Sequence, residues 1–302
     1  MNNCGYYLAI DGGGTKTQFL LTDKEGSTVS ELFLGPSNPV NIGMEASQQV
    51  LTEGIETICK GLDKGAIILF AGLAGGITGN NKEVFTEFFK DFGFKKFGNS
   101  SDAYNSLALG LGKNDGIILI MGTGIMGFAV KNGKERRIAG WGALFDSGGC
   151  GYTLGRDTIY AALCESDGTG DATQLTELLE KEMGTSVPEN LGNIYLKGKD
   201  YIASFAPYVI QAAQLGDKVA YEIIERNMKR VSEIINSAVG YIATPEIKLA
   251  LTGGLITQNP QLVDLIAKDL DSRYQFNINI VDEQPIYGAL KIAKELDENE
   301  KN

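Results

Sequence analysis

The chain has 302 residues, a formal charge of −11 and no histidine. The missing imidazole removes histidine general bases, nucleophile activators and metal ligands together, so acid–base chemistry must rest on carboxylates. The acidic balance disfavours nucleic acid and anionic membranes as partners, and the length suffices for the cores of two ordinary domains. Cys4, Cys59, Cys150 and Cys164 show no C-x-x-C pairing, so idle thiols in a reducing cytosol are expected rather than a zinc ribbon or a disulfide framework. The first five residues hold no basic stretch followed by an apolar one, and no apolar run is long enough to span a bilayer. A soluble cytoplasmic protein is expected.

In chain order, strands are expected at 6–10, 17–22 and 28–34, with Asp23-Lys24-Glu25-Gly26 turning the second into the third. Between the first two lies Asp11-Gly12-Gly13-Gly14-Thr15-Lys16-Thr17. Three glycines let the backbone approach a bulky anion, and successive N–H groups in such a turn form a nest for phosphate. Thr15, Lys16 and Thr17 add hydroxyls and a cation, and Asp11 at the strand end is placed to hold a hydrated Mg²⁺. The same residues also suit a plain glycine-rich hairpin. From Met44 to Leu62 the apolar period becomes helical, and Ala66–Phe70 reads as a short buried strand. Ser100-Ser101-Asp102 opens a helix with a serine N-cap and Asp102 in its first turn, where an aspartate also favours the helix macrodipole.

Ile117–Met121 runs into Gly122-Thr123-Gly124 and then Phe128-Ala129-Val130. Strand, Gly/Thr turn and strand thus recur about 110 residues after the first set, as in two copies of one half. Asn132-Gly133 begins another hairpin turn, capped by the basic cluster Lys134-Glu135-Arg136-Arg137. The chain then turns helical, and Val219, Ile223, Met228, Val231, Ile235 and Ile242 mark one long amphipathic helix whose stripe is core. Ile247–Leu251 ends in Thr252-Gly253-Gly254-Leu255, a buried strand opening into a glycine pair suited to the flat face of an adenine or ribose. Residues 285–298 form a last helix.

With these motifs together, the chain resembles the superfamily of sugar kinases, acetate kinases, heat-shock ATPases and actin. Within it, Asp11–Thr17, Gly122–Gly124, Gly140-Trp141-Gly142 and Thr252–Gly254 look like the N-acetylglucosamine kinase branch, grouped with the BadF/BadG/BcrA/BcrD ATPases. The resemblance runs from Tyr6 to the last helix. It implies an α/β chain of two actin-like ATPase (ribonuclease H-like) domains around an interdomain cleft, 1–115 and 116–285, with the last helix, about 286–302, crossing back to complete the first. It also implies ATP and Mg²⁺, and transfer of phosphate to the primary 6-hydroxyl of N-acetylglucosamine, or of N-acetylmuramate or glucosamine. A homodimer is left open.

By the same resemblance Asp102 falls where the family has its catalytic aspartate. Gly12, Gly13, Gly14, Thr15 and Lys16 would face the phosphates on one side and Gly122, Thr123 and Gly124 on the other, with Gly253 and Gly254 beside the nucleotide. Asn38, Asp102, Thr123, Gly140 and Trp141 would meet the sugar, Asn38 with a donor and an acceptor and Trp141 with a flat apolar wall. Read alone, Asn38 before Pro39 also makes a turn, and a lone tryptophan also suits a core. The chain departs from the family in two places. Phe145-Asp146-Ser147-Gly148-Gly149-Cys150 stands for the usual Gly-Asp-Glu-Gly-Ser, leaving Asp146 or Ser147 in the aspartate's place, and Ile125 replaces the serine after Gly-Thr-Gly. The competing activity is an ATPase that drives a partner reductase or dehydratase, as BadF-type activators do. Those carry an iron–sulfur cluster on thiolates between subunits, and no second cysteine is suitably spaced from Cys150.

Overall fold

The computed structural model describes residues 5–298. The chain begins with β1 (Tyr6–Gly12), β2 (Thr17–Asp23), β3 (Thr28–Leu34), α1 (Pro39–Ile42), α2 (Met44–Ile58), β4 (Ile67–Leu73), α3 (Asn81–Lys90), β5 (Lys96–Ser100) and α4 (Ala103–Gly110). It continues with β6 (Gly116–Met121), β7 (Ile125–Lys131), β8 (Lys134–Ala139), α5 (Gly151–Ser166), α6 (Gln174–Met183), α7 (Leu191–Ala203), α8 (Ala206–Gln214) and α9 (Lys218–Ile242). Last come β9 (Glu246–Thr252), α10 (Gly254–Gln258), α11 (Leu262–Lys268), β10 (Gln275–Val281) and α12 (Pro285–Glu298). Two compact units result: residues up to Gly112 together with those from Glu283 onward, and Lys113–Asp282. No helix among the described residues is long and apolar enough to cross a membrane.

The first unit is built on a five-stranded sheet in the order β3-β2-β1-β4-β5. β1 pairs antiparallel with β2 and parallel with β4, and helices cover both of its faces. That explains the unbroken apolar run Tyr7–Ile10, because a strand buried on two sides has no wet face to alternate with. On one face Leu8, Ile10, Phe19, Leu21 and Leu69 pack with Leu51 and Ile55 of α2 and Phe85 and Phe89 of α3. On the other, Tyr7, Ala9, Leu20, Ile68 and Phe70 pack with Ile286, Ala289 and Ala293 of α12. Edge strand β3 is solvated on alternate residues. Its pattern is the one that period-two reading detects.

The second unit repeats the plan with order β10-β9-β6-β7-β8, β6 running antiparallel to β7 and parallel to β9. Asn132 and Gly133 sit at φ 51° and 69°, the two left-handed positions of a tight hairpin. The basic cluster does not cap that turn; it forms β8 itself, at the sheet edge. There, charged side chains discourage a further strand from pairing. α9 presents Ile223, Met228, Val231, Ile235 and Ile242 to the core, and Asp217 caps its start by accepting from Ala220 N at 2.8 Å.

Several boundaries differ from the expectations. α2 stops at Ile58, short of Leu62, and the chain turns through Gly61 at φ 81°. β4 extends to Leu73 because β1 and β5 hold it on both sides. The N-cap of α4 is Asp102 and not a serine: its carboxylate accepts from Ala103 N at 3.0 Å, which satisfies a helix-terminal N–H more strongly than a hydroxyl does.

Gly54 of α2 lies against the fully buried ring of Phe19 in β2, and a Cβ there would come within 2.5 Å of Cε2 and nearer still to Cζ. Gly54→Ala gains up to about 1 kcal/mol of helix propensity and incurs overpacking of about 1–3 kcal/mol. A net loss of stability is expected in urea unfolding; an unchanged or higher midpoint would show that Phe19 moves aside freely.

Candidate functional site

In the first unit, the β1–β2 ladder closes at Gly12 opposite Thr17, leaving Gly13–Lys16 as the hairpin loop. The loop is tied down from below. Gly13 N donates to Lys16 O at 2.9 Å, Ser37 N to Gly13 O at 3.1 Å, and Ala74 N to Gly12 O at 2.7 Å. A Cβ on Gly12 would collide with Ser37 Oγ and come within 2.6 Å of Leu73 Cδ2, so glycine is required for this close approach. Gly14, Thr15 and Lys16 are exposed. Thr17 is buried, its Oγ1 2.8 Å from both Gly35 O and Ser37 Oγ, so this hydroxyl braces the 35–37 segment.

Asp11 and Asp102 belong to this unit. Asn105 Nδ2 donates to Asp11 Oδ1 at 2.7 Å. Burial pushes the Asp11 carboxyl up to about 6; the Asn105 hydrogen bond opposes the rise, the Asp102 charge adds to it and Lys16 opposes it. Burial likewise raises Asp102 above the usual carboxylate range, against the Ala103 hydrogen bond. Asn38 caps α1 by accepting from Val40 N at 2.9 Å, and Gly75, at φ 70°, leaves room for its Oδ1. The turn role of Asn38 is therefore realised in the fold.

In the second unit, Gly122 N donates to Gly124 O at 2.9 Å across the β6–β7 turn, and Thr123 and Gly124 are exposed. The turn is bonded to the start of α5, with Gly151 N donating to Gly122 O at 2.8 Å and Tyr152 N to Thr123 O at 2.9 Å. Ile125 points into the core. Gly253 sits at φ 96°, and a Cβ there would lie 2.6–2.8 Å from the Met121 backbone, so the strand-to-helix step into α10 needs glycine.

The loop after β8 carries Gly140 at φ 96° and Trp141, a residue 62% exposed, with the Arg137 guanidinium 4.8 Å from its ring centroid. Trp141 is no core residue. Asp146 is buried and accepts from Trp141 N at 2.9 Å and Gly142 N at 3.0 Å, while Ser147 Oγ accepts from Arg230 Nε at 2.7 Å. Buried Asn227 of α9 anchors the end of the loop. Its Oδ1 accepts from Gly149 N at 3.2 Å and from Thr153 Oγ1 at 2.8 Å.

A cavity of about 660 Å³ in this unit is lined by Gly122, Thr123 and Gly254 together with Asp200, Ser204 and Gln211 among others. Gly122, Thr123 and Gly254 were singled out by their motifs. Asp200 of α7, Ser204 just after it and Gln211 of α8 carry no such mark, because no strand opening into a glycine turn accompanies them in the sequence.

Cys59 and Cys150 are buried and Cys164 is partly so; burial pushes the Cys59 thiol up to about 11. Cys4 lies outside the described residues. Among the described residues no three of His, Cys, Asp or Glu gather into one cluster. Asp11, a single carboxylate with only Oδ1 engaged by Asn105, has the chemistry of a Mg²⁺ ligand, because that ion takes one or two carboxylates and keeps several waters.

Two mixed sheets with flanking helices, each sheet opening on a glycine hairpin, place the chain in the actin-like ATPase fold. A glucokinase of the ROK family from Streptomyces griseus, solved in complex with glucose and AMPPNP, superposes with a TM-score of 0.56 at 18% identity over 97% of this chain and 99% of that one. Residues 8–293 match the BadF/BadG/BcrA/BcrD ATPase family, and the chain belongs to it. It is 30% identical to an N-acetylmuramic acid/N-acetylglucosamine kinase from Clostridium acetobutylicum, over 96% of this chain and 98% of the relative. It is 27% identical to an N-acetyl-D-glucosamine kinase from Dictyostelium discoideum, over 95% and 97%.

The raised Asp11 pKa sets a pH dependence of stability. Between its ordinary value of 3.8 and about 6, the folded chain keeps a proton that the unfolded chain has released. The stability contributed by Asp11 is therefore present below that window and lost as pH rises through it. Without nucleotide or divalent cations, the stability of Asp11→Asn relative to wild type should improve by on the order of 2 kcal/mol between pH 4 and pH 7 in urea unfolding. A difference that stays constant across this range would contradict the burial account.

Proposed function

We infer that this chain is an ATP-dependent kinase acting on an amino sugar, N-acetylglucosamine or a close relative such as N-acetylmuramate or glucosamine, at the primary 6-hydroxyl. The observation that carries the reading is one turn of α4. Asp102 caps it, and Asn105, three residues on, holds Asp11, so two carboxylates with raised pKa values share one site in a chain without histidine. The kinase names of the two curated relatives support the same activity. Residues 1–115 with the last helix, and residues 116–285, then serve as the two ATPase halves, and the cytoplasm, where ATP is held, is the place of action.

In this reading Asp102 accepts the proton of the sugar hydroxyl as its oxygen attacks the γ-phosphorus and ADP departs. Its raised pKa makes it a stronger base than a solvated carboxylate. Gly12, Gly13, Gly14, Thr15 and Lys16, and Gly122, Thr123 and Gly124, hold the phosphates through backbone N–H groups, hydroxyls and one cation. Gly253, Gly254 and the cavity beside them take the nucleoside. Asp11 would hold hydrated Mg²⁺, which would supply charge neutralisation to the nucleotide phosphates. Asn38, Thr123, Gly140 and Trp141 face the sugar. Asp146 and Ser147 act there by shape: one carboxylate gathers two consecutive N–H groups beneath Trp141, and the serine ties the loop to α9.

The deciding measurement is ADP release over a panel of amino sugars and hexoses, against a control without sugar. Strong stimulation by an amino sugar is expected. Basal hydrolysis indifferent to every sugar and responsive to a partner protein would replace the kinase by the partner-driving ATPase. Asp102→Asn should lower kcat by at least ~10²-fold with nucleotide affinity nearly unchanged; turnover near wild type would remove Asp102 from the base role. Asp11→Asn should raise the Mg²⁺ concentration needed for half activity.

A further inference from the structure

Asn105 touches neither sugar nor phosphate in the chemistry above, yet three elements are shaped around it. The side chain is fully buried, at 0% exposure. Its amide lies over Gly72 of β4, where a Cβ would come within 2.5 Å of Cγ and nearer still to both terminal amide atoms. Gly72 is the residue that pairs with Asp11 across the β1–β4 ladder. On α12, a Cβ on Gly288 would lie 2.6 Å from the Asn105 carbonyl carbon and collide with its oxygen, so a second glycine lets that helix close on the same turn. The Asn105 N–H donates to Asp102 O at 3.0 Å while its side chain donates to Asp11.

The energetics argue against simple filling. Asn105 Oδ1 is buried without a hydrogen-bond partner, a situation that is unfavourable to folding and that an apolar side chain of similar shape would avoid. What the amide provides in return is one N–H on the carboxylate of Asp11. Hydrogen bonds of this kind fix the orientation of a metal-ligating carboxylate.

We propose that Asn105 is a positioning residue for phosphoryl transfer, holding the Asp11 carboxylate in the orientation in which it meets hydrated Mg²⁺ on the nucleotide. Gly72 and Gly288 are the space that this arrangement requires. The proposal rests on the reading of Asp11 as the Mg²⁺ carboxylate.

The geometry supplies a test that separates positioning from packing. The Cβ missing from Gly72 would occupy the volume of the Asn105 amide, so Asn105→Ala combined with Gly72→Ala refills the space without restoring the donor. Each single change should lower Tm, and the double variant should recover much of that loss, as contacting sites do when they share one volume. Mn²⁺ binding in the presence of a non-hydrolysable ATP analogue, followed by electron paramagnetic resonance, is the decisive readout. The Mn²⁺ dissociation constant should rise about 10-fold or more in Asn105→Ala and remain raised in the double variant. Asn105→Leu, similar in shape and lacking the donor, should show the same loss and guards against poor folding of the alanine variants. KM for the sugar should not move. Wild-type Mn²⁺ affinity in the double variant or in Asn105→Leu would overturn the proposal and leave Asn105 a packing residue. Asp11→Asn is the control: if it weakens Mn²⁺ while the Asn105 variants do not, the positioning role alone fails, and if it too leaves Mn²⁺ affinity unchanged, the Mg²⁺ reading of Asp11 fails with it.

Discussion

A carboxylate that is drawn out of water must be met by something, and in the first unit Asp11 is that carboxylate. The β1 ladder places it at the end of a strand covered on both faces, where ionisation is disfavoured. Gly72 opposite it, Asn105 above that glycine and Gly288 behind Asn105 follow in sequence from the one requirement. Even the close approach of α12 to α4 belongs to it, because a side chain at Gly288 would hold the two helices apart. What looks like scattered glycine usage in a strand and a helix is one connected arrangement around a single charge.

The second unit meets a comparable task with backbone. Its hairpin carries no carboxylate; Gly122 and Thr123 offer their carbonyl groups to the first N–H groups of α5, and Gly253 takes a left-handed conformation against Met121. Side chains enter one layer further out. Asn227 gathers the loop end and α5, and Asp146 gathers Trp141 and Gly142. A site made from main-chain groups is fixed by φ and ψ and is insensitive to pH. A site made from buried carboxylates is not.

The sequence made the hairpins and central strands readable because a glycine triplet at 12–14 and Gly-Thr-Gly at 122–124, each flanked by apolar runs, have few other uses. β1, β2, β3, β6 and α9 follow from periodicity nearly to the residue. α3, β10 and the extent of β5 escaped, although Gln275–Val281 alternates polar and apolar side chains as an edge strand should. At the site, motif residues were visible where a glycine marks them. Asn105 was hidden inside the apolar face of a helix and gives itself away only when Gly72 and Gly288 arrive from distant parts of the chain. Asp102 as a cap, and Asp146 as a clamp on two N–H groups, depend on backbone conformations that residue identity alone does not fix.

The return of α12 also orders the birth of the molecule. The sheet face made by Tyr7, Ala9, Leu20, Ile68 and Phe70 waits for Ile286, Ala289 and Ala293, which leave the ribosome only after the whole second unit. Lys113–Asp282 is continuous and can complete its core during synthesis, whereas the unit that starts first finishes last. The nascent chain therefore carries an uncovered apolar sheet face through most of translation. Chaperone protection would be directed at this face, and a message cut short before the codon for Pro285 would yield a product whose second unit is complete and whose first is left open to aggregation.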